Sequence, residues 1–367
     1  MPPSPGLAPQ MPKLLFVSKY FDHILYFFLH VLAKHWHLTL VVNLENEWSD
    51  RLDADGFELH RLVPKSRFDS AYQREIETLY RAGPWDLIQC FHGNSEITNL
   101  VRWNRRRLPL VGYRARIGHL SIWENPTAYW HVRNPSLFGV AAVSTAVEKY
   151  LQSFAFFRAR NVRVIHHGID RAWVASQCEK PFGLRGKLGI PGDALIVASI
   201  AALRPVKRFE YVAHAAERLA DHPIHFVHIG APNGWDEKVS HLPKIHFVGH
   251  QDAPLPILAE ADLFAMTSHN EAFGRANIEA MACGIAVIGS NTGGFLDIVE
   301  PGVTGQLFDT GDPDDFTAKI ELYCSNRELV YEHGRNAKAR VDAHFNTARM
   351  AAEYLAFYDD AVAAARR

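Results

Sequence analysis

The chain has 367 residues, 48% of them hydrophobic and 22% charged, with a net charge of −1. That length allows two domains of ordinary size, and that balance describes a well-packed globular protein rather than a disordered or fibrous one. Charge is unevenly placed: residues 1–178 hold 21 Lys and Arg against 15 Asp and Glu, and the remainder holds 18 against 25. This asymmetry fits two differently solvated domains. It fits equally a basic N-terminal half that meets an anionic partner, such as a phospholipid surface or a phosphorylated acceptor. Four Cys (Cys90, Cys178, Cys283, Cys324) lack any C-x-x-C spacing, which argues for a reducing compartment and against a structural zinc site.

The start, Met1-Pro-Pro-Ser-Pro, lacks the basic residues and apolar run of a signal peptide, so residues 1–10 read as a disordered leader. Leu14 to Val17 reads as a buried strand, Ile24 to Lys34 as a helix and Leu38 to Val42 as the next strand. The longest apolar stretch, Ile24 to Ala33, is broken by His30 and falls short of the ~18 residues of a membrane span. A cytoplasmic protein is expected, with peripheral placement on the cytoplasmic face of a membrane as the variant that the basic half suggests. Further strands follow at Phe57 to Leu62, Leu87 to Cys90, Leu110 to Tyr113, Val140 to Val143 and Val162 to Ile165. Ser144-Thr145 starts a helix that runs through Leu151. Twenty His occur without H-E-x-x-H spacing. Most read as surface or loop residues, and adjacent His166 and His167 as side chains on opposite sides of a strand.

A second βα series opens at Leu195 to Ile200. It continues through Phe226 to Ile229, Ile245 to Val248, Leu263 to Thr267, Ile285 to Ile288 and Gln306 to Phe308. Asp170 to Ile190, rich in turn formers and charge, reads as the linker. Thr347 to Arg366 reads as a long helix with apolar Met350, Tyr354, Phe357 and Val362. Alternating strands and helices in two series predict an α/β protein of two Rossmann-like, doubly wound domains. Ligands bind such sheets outside the carboxyl ends of the strands. The expected division is 11–175, 176–345 and a C-terminal helix over 346–367 that packs back on the first domain.

Two strand ends carry chemistry. Arg204-Pro-Val-Lys207-Arg208 lies between a strand and the helix expected over Phe209 to Leu219. Arg204 suits bidentate contact with phosphate oxygens, and Lys207 adds a mobile point charge. Glu271-Ala-Phe-Gly-Arg-Ala-Asn-Ile-Glu279 follows Thr267-Ser-His-Asn270. Gly274 allows close approach of a ligand to the backbone, and the N–H groups of Phe273, Gly274 and Arg275 open a helix toward it. Glu279 is flanked by Ile278, Ala280, Met281 and Ala282. It reads as a buried carboxylate, costly unless a ligand pairs with it.

Glu-x7-Glu with its internal Phe-Gly, the preceding Arg204-x-x-Lys207 and the following Gly289-Ser-Asn-Thr-Gly-Gly294 together resemble the retaining glycosyltransferases of family four. The likeness extends to Val143-Ser144, Val164-Ile-His-His-Gly-Ile-Asp170, Ile229-Gly230, Val248-Gly249-His250 and Glu300-Pro-Gly-Val-Thr-Gly-Gln-Leu-Phe308. It covers residues 140–320 well and the first 130 loosely. The resemblance implies the GT-B fold, two domains facing across a cleft, and transfer of a sugar from a nucleotide-sugar donor to a glycan or lipid-linked acceptor with retained configuration. Arg204 and Lys207 would then neutralise the donor diphosphate. Glu279 would hold the ribose hydroxyls, and Glu271 with the backbone of Phe273, Gly274 and Arg275 would hold the donor sugar and one phosphate. His250 would lie near the base, and Arg171 to Lys180 in the hinge between domains.

No cofactor or metal is expected, and nucleic acid is not expected as a partner. Asp53-Ala-Asp55 resembles the D-x-D metal motif of other transferases but reads as a turn before the Phe57 strand. The loop after the first strand, Ser18-Lys-Tyr-Phe-Asp-His23, lacks the glycines frequent in the family and leaves Lys19 as a side-chain contact. Arg114, His119 and His92 stand near positions where an acceptor or sugar would be touched. Trp103-Asn-Arg-Arg-Arg107 reads as a solvated helix end or a phosphate-binding cluster. The competing readings are a non-catalytic nucleotide-sugar-binding protein and an epimerase or phosphorylase on the same scaffold. A dinucleotide dehydrogenase is disfavoured because no G-x-G-x-x-G follows either first strand.

Overall fold

The structure is a computed structural model that describes residues 11–65, 69–91, 108–118, 120, 123, 137–154, 157 and 161–366. The leader expected over 1–10 and the Trp103 to Arg107 cluster lie outside the described residues. By contacts the chain divides into two compact units. Unit 1 comprises residues 1–143, 148–165 and 347–367, and unit 2 comprises 144–147 and 166–346.

Unit 1 is built on a parallel sheet of 7 strands in the order β3-β2-β1-β4-β5-β6-β7. The strands are β1 (Lys13–Ser18), β2 (His37–Val42), β3 (Glu58–Arg61), β4 (Leu87–Phe91), β5 (Leu110–Arg114), β6 (Leu137–Ala142) and β7 (Asn161–Val164). β1 is an interior strand, pairing Leu14 with Leu38 on one side and with Leu87 on the other. Its run Leu14 to Ser18 is buried throughout, as befits a strand covered on both faces. The helices α1 (His23–Leu32), α2 (Glu47–Ala54), α3 (Ser70–Ala82) and α4 (Thr145–Gln152) follow strands in turn. α1 buries Ile24, Leu25, Phe28, Leu29 and Leu32, a stripe at helical spacing.

The terminal helix, Thr347–Ala365, packs on α1 and against β4 and β5 within unit 1. Its Tyr354 ring lies 4.9 Å from Phe28. Met350, Tyr354, Phe357 and Tyr358 are at most 1% exposed. Truncating one of these aromatics would cost about 3–5 kcal/mol.

Asp53-Ala-Asp55 forms the end of α2 rather than the expected turn, because Leu52 is buried and draws the segment into a helix. Its carboxylates have partners: Asp53 Oδ2 lies 2.9 Å from Arg61, and Asp55 Oδ2 lies 2.7 Å from the Tyr26 hydroxyl and 3.1 Å from His30.

Unit 2 holds a parallel sheet of 6 strands in the order β10-β9-β8-β11-β12-β13. These are β8 (Leu195–Ile200), β9 (Ile224–Ile229), β10 (Ile245–Phe247), β11 (Leu263–Met266), β12 (Ala286–Ser290) and β13 (Gly305–Phe308). Its helices are α5 (Arg171–Cys178), α6 (Leu184–Leu188), α7 (Glu210–Arg218), α8 (Trp235–Lys238), α9 (Leu255–Leu258), α10 (Arg275–Ala282), α11 (Phe295–Ile298), α12 (Pro313–Ser325) and α13 (Arg327–His344).

The chain passes from unit 1 to unit 2 at Ile165/His166, upstream of the 175/176 boundary read from the sequence. Residues 170–190, read there as a linker, carry α5 and α6 and belong to unit 2. Their turn formers and charges are caps: Asp170 accepts from Trp173 N at 2.8 Å, and the Glu260 carboxylate accepts from the N–H groups of Phe182, Gly183 and Leu184. Cys178 Sγ lies 3.2 Å from Cys283 Sγ, a meeting of α5 with the end of α10. No described helix is long and apolar enough to cross a membrane.

Candidate functional site

β8, β11 and β12 are neighbours in the sheet, with Leu263 registered on Val197 and on Ala286. Three loops therefore leave adjacent strand ends in unit 2. The first runs from Ala201 to Phe209 and contains a 3-10 turn at Pro205–Lys207. Two bonds tie it to the loop after β11: Thr267 Oγ1 donates to Lys207 O at 2.7 Å, and His269 N donates to Val206 O at 3.1 Å.

The Lys207 ammonium lies 2.8 Å from Glu271 Oε2, with side-chain exposures of 17% and 23%. Arg208 takes a left-handed conformation with φ 46°. Its guanidinium bonds to Thr310 O and the Tyr211 hydroxyl, so it holds the loop down. Arg204 is exposed, and no hydrogen bond or ion pair engages its side chain among the described residues.

The Glu271-Ala-Phe-Gly turn is held on several sides. Gly294 N donates to Glu271 O at 2.8 Å, and Ser144 Oγ donates to Ala272 O. Gly293 has φ 63°, and a Cβ there would stand 2.3 Å from Glu271 O, so only glycine closes this contact. Phe273 is 3% exposed, its ring 5.6 Å from His166, 5.5 Å from His167 and 6.0 Å from Phe345. His166 and His167 thus sit in the segment after β7 and both meet Phe273, instead of dividing across a strand. Asp297 Oδ2 accepts from Thr145 N at 2.7 Å and lies 3.1 Å from His166 Nε2. Burial opposes the Asp297 charge, but the bonds from His166 and Thr145 outweigh it and hold this carboxyl below its ordinary pKa.

Gly274 ends the turn with φ 85° and starts α10, where no side chain caps the helix. Within the first turn Asn277 N donates to Gly274 O at 2.9 Å, and a helix start without a capping side chain is an arrangement that suits an anion. Ile278, Ala280 and Met281 are fully buried, yet Glu279 itself is only partly buried. The sequence reading of a buried carboxylate is corrected here: on a helix the apolar flanks face the core while the residue between them points elsewhere.

The remaining candidates are dispersed. His250, 83% exposed in its side chain, lies beyond β10, two strands from β8, with Nε2 3.5 Å from Asp252. Lys19 is exposed at the end of β1 in unit 1. Arg114, at the end of β5, is 5% exposed and donates to Arg116 O at 3.0 Å and to Gly118 O. These bonds brace its own loop. Burial pushes its pKa below the usual arginine value. His92 and His119 lie outside the described residues.

Residues with no signal in the sequence also shape the site. His228 is 1% exposed, 2.9 Å from both Ser199 Oγ and Ala201 O, directly behind the Arg204 loop. Burial lowers its pKa to about 4. Asp297 and Ser144 act through contacts between distant segments, which spacing does not reveal.

The family model of glycosyl transferases group 1 matches residues 183–340, the stretch that carries the Arg204 loop and α10. The chain is 29% identical over 212 residues to a D-inositol 3-phosphate glycosyltransferase of Geodermatophilus obscurus, covering 50% of this chain and 45% of that one. It is 28% identical over 184 residues to an N-acetyl-alpha-D-glucosaminyl L-malate synthase of Bacillus anthracis, covering 48% of each. The chain thus spans about half the length of the curated relatives it matches. Among solved structures it is similar to Anabaena HepE in complex with UDP-glucose, with TM-score 0.76 and 20% identity over 94% of this chain and 99% of that one. It is also similar to sucrose-phosphate synthase from Thermosynechococcus elongatus, with TM-score 0.75 and 20% identity over 97% and 100%. Residues 183–340 thus resemble the glycosyl transferases group 1, and the chain, with two parallel sheets of this order, has the GT-B fold of these solved structures.

Proposed function

We propose that the protein is a retaining, metal-independent glycosyltransferase that moves a sugar from a nucleotide-sugar donor to a glycan or lipid-linked acceptor. One observation carries this reading: the Lys207 ammonium and the Glu271 carboxylate meet at 2.8 Å beside the uncapped start of α10. A cation and a helix start without a side-chain cap belong there to adjoining loops, where a leaving diphosphate would gather charge. Fixed charge aimed at a leaving group is the largest lever for breaking a glycosyl–phosphate bond. Arg204 and Lys207 supply locally the charge that a divalent cation supplies in other transferases.

In the proposed reaction, the bond between the anomeric carbon and the phosphate oxygen breaks, and the acceptor hydroxyl attacks from the same face. The departing phosphate oxygen takes the acceptor's proton. Sugar configuration is kept and the nucleoside diphosphate leaves. Glu271, tied to Lys207, orients that ammonium and faces the donor sugar, while Glu279, partly exposed on the same helix, holds the ribose hydroxyls. HepE's complex with UDP-glucose makes UDP-sugars the first donors to try.

A thermal-shift panel of UDP-, GDP- and ADP-sugars tests the reading, since a ligand that binds only the folded chain raises Tm with its affinity. One donor should raise Tm, and NMR of the product formed from it should show the donor's anomeric configuration. No shift across the panel would sink the transferase reading. Binding without transfer or slow donor hydrolysis would favour a non-catalytic nucleotide-sugar-binding protein.

A further inference from the structure

Asn277 is the third residue of α10 and is 0% exposed. Neither Nδ2 nor Oδ1 of its amide has a hydrogen-bond partner among the described residues. Its helix neighbours Ile278, Ala280 and Met281 are equally buried and apolar. A leucine would fill this place without an unmet polar group, whereas a buried, unpaired amide weakens the fold. The amide is also not remote from the proposed donor site. A Cβ built on Gly274 would stand 2.4 Å from Asn277 Nδ2 and 3.2 Å from Glu271 Cγ. The amide therefore lies directly under the turn from Glu271 to Gly274, at the open end of the helix.

The third position of a helix is where a polar side chain reaches back to the backbone N–H of the capping residue. Asn277 is placed for that bond and does not make it. We propose that Asn277 is a positioning residue for the donor: when a phosphate group of the donor lies on the start of α10, the Asn277 amide pairs with the backbone of the Glu271–Gly274 turn and holds it in the donor-binding arrangement. A side chain that gains its bond only in the bound arrangement shifts the equilibrium toward it. This inference rests on the reading of unit 2 as a nucleotide-sugar site.

The test measures two quantities on Asn277→Leu: the Tm of the protein alone, and by calorimetry the Kd for whichever of UDP, GDP and ADP the wild type binds. The proposal expects Tm to stay or rise, because an unmet amide has been removed, and Kd to weaken at least about tenfold. A merely structural amide gives the reverse pattern, a lower Tm with Kd within twofold of wild type, and that result overturns the proposal. So does an unchanged Kd at any Tm. Asn277→Thr, smaller and still polar, carries the same Kd expectation should the leucine variant fail to fold. A wild type that binds none of the three nucleotides overturns both this inference and the proposed function. Tight wild-type binding with an insensitive Asn277→Leu overturns the inference alone.

Discussion

The first strand–helix junctions of the two units differ where their folds agree. In unit 1, Ser18 to Asp22 joins β1 to α1, and Asp22 accepts from Leu25 N at 3.0 Å to cap the helix. Ser18 Oγ donates to Tyr20 O at 2.6 Å, and Phe21 is fully buried, so the loop is closed on itself. In unit 2, Ala201 to Phe209 joins β8 to α7, and no side chain caps that helix. The loop presents Arg204 and Lys207 instead, next to the uncapped α10.

A carboxylate at a helix start satisfies the same N–H groups and the same dipole that an anionic ligand would use. One unit has filled that place with its own carboxylate, and the other leaves it without a capping side chain, with the Lys207–Glu271 pair in the adjoining loops. The decisive quantity is local. The half that holds the cationic loop is the more acidic one, with 18 Lys and Arg against 25 Asp and Glu after residue 178.

The largest expected effect comes from removing the cation. Lys207→Ala should lower donor turnover by about 10²–10³-fold, the usual loss when one group that stabilises developing charge is deleted. Its Tm should fall as well, because the pair is only 17% and 23% exposed and Glu271 is left without its cation, so turnover is compared at a temperature where both proteins are folded. A variant with wild-type turnover would erase the contrast between the two junctions.

Next in size is the acid response of unit 2. His228 has a folded pKa lowered to about 4 by burial, so between its ordinary value and about 4 the unfolded chain binds a proton that the folded chain refuses. Stability is therefore present above the unfolded pKa and is lost as pH falls through this window, by about 3 kcal/mol at full extent. Denaturation of wild type and His228→Gln at pH 7 and at pH 4.5 should show a smaller acid loss in the variant. Equal losses would remove His228 from the support of the Arg204 loop.

The smallest effect sharpens the comparison from the other side. Asp22→Ala should cost about 1 kcal/mol of stability, the usual value of a helix cap, with donor affinity unchanged. A clear change in donor affinity would show that the closed junction also takes part in binding.

Much of this was legible in the sequence. The alternation of short β-rich runs with helical stretches located the strands of both sheets, because strands buried on both faces read as continuous apolar runs. The positions of the Arg204 loop and the Phe273-Gly274 turn at adjoining strand ends were legible from the strand pattern, while the roles given to their residues came from the family resemblance. What eluded the sequence depended on contacts between distant segments. Asp170 to Ile190 looked like a linker because its capping residues are those of a loop. Glu279 looked buried because its neighbours are, although a helix turns each residue by about 100° from the last. The 3.2 Å approach of Cys178 to Cys283 and the grouping of His166, His167 and Phe345 around Phe273 have no local signature at all.

The central claim is that the loops of unit 2 recognise a diphosphate. Calorimetric titration of the wild type and Lys207→Ala with a nucleoside diphosphate and with the same nucleoside lacking phosphates tests it most directly. The account predicts that the wild type prefers the diphosphate by about 100-fold or more, as one or two charge-assisted bonds would give, and that Lys207→Ala loses most of that preference. Equal affinity for the two compounds, or a preference untouched by the loss of Lys207, would contradict it.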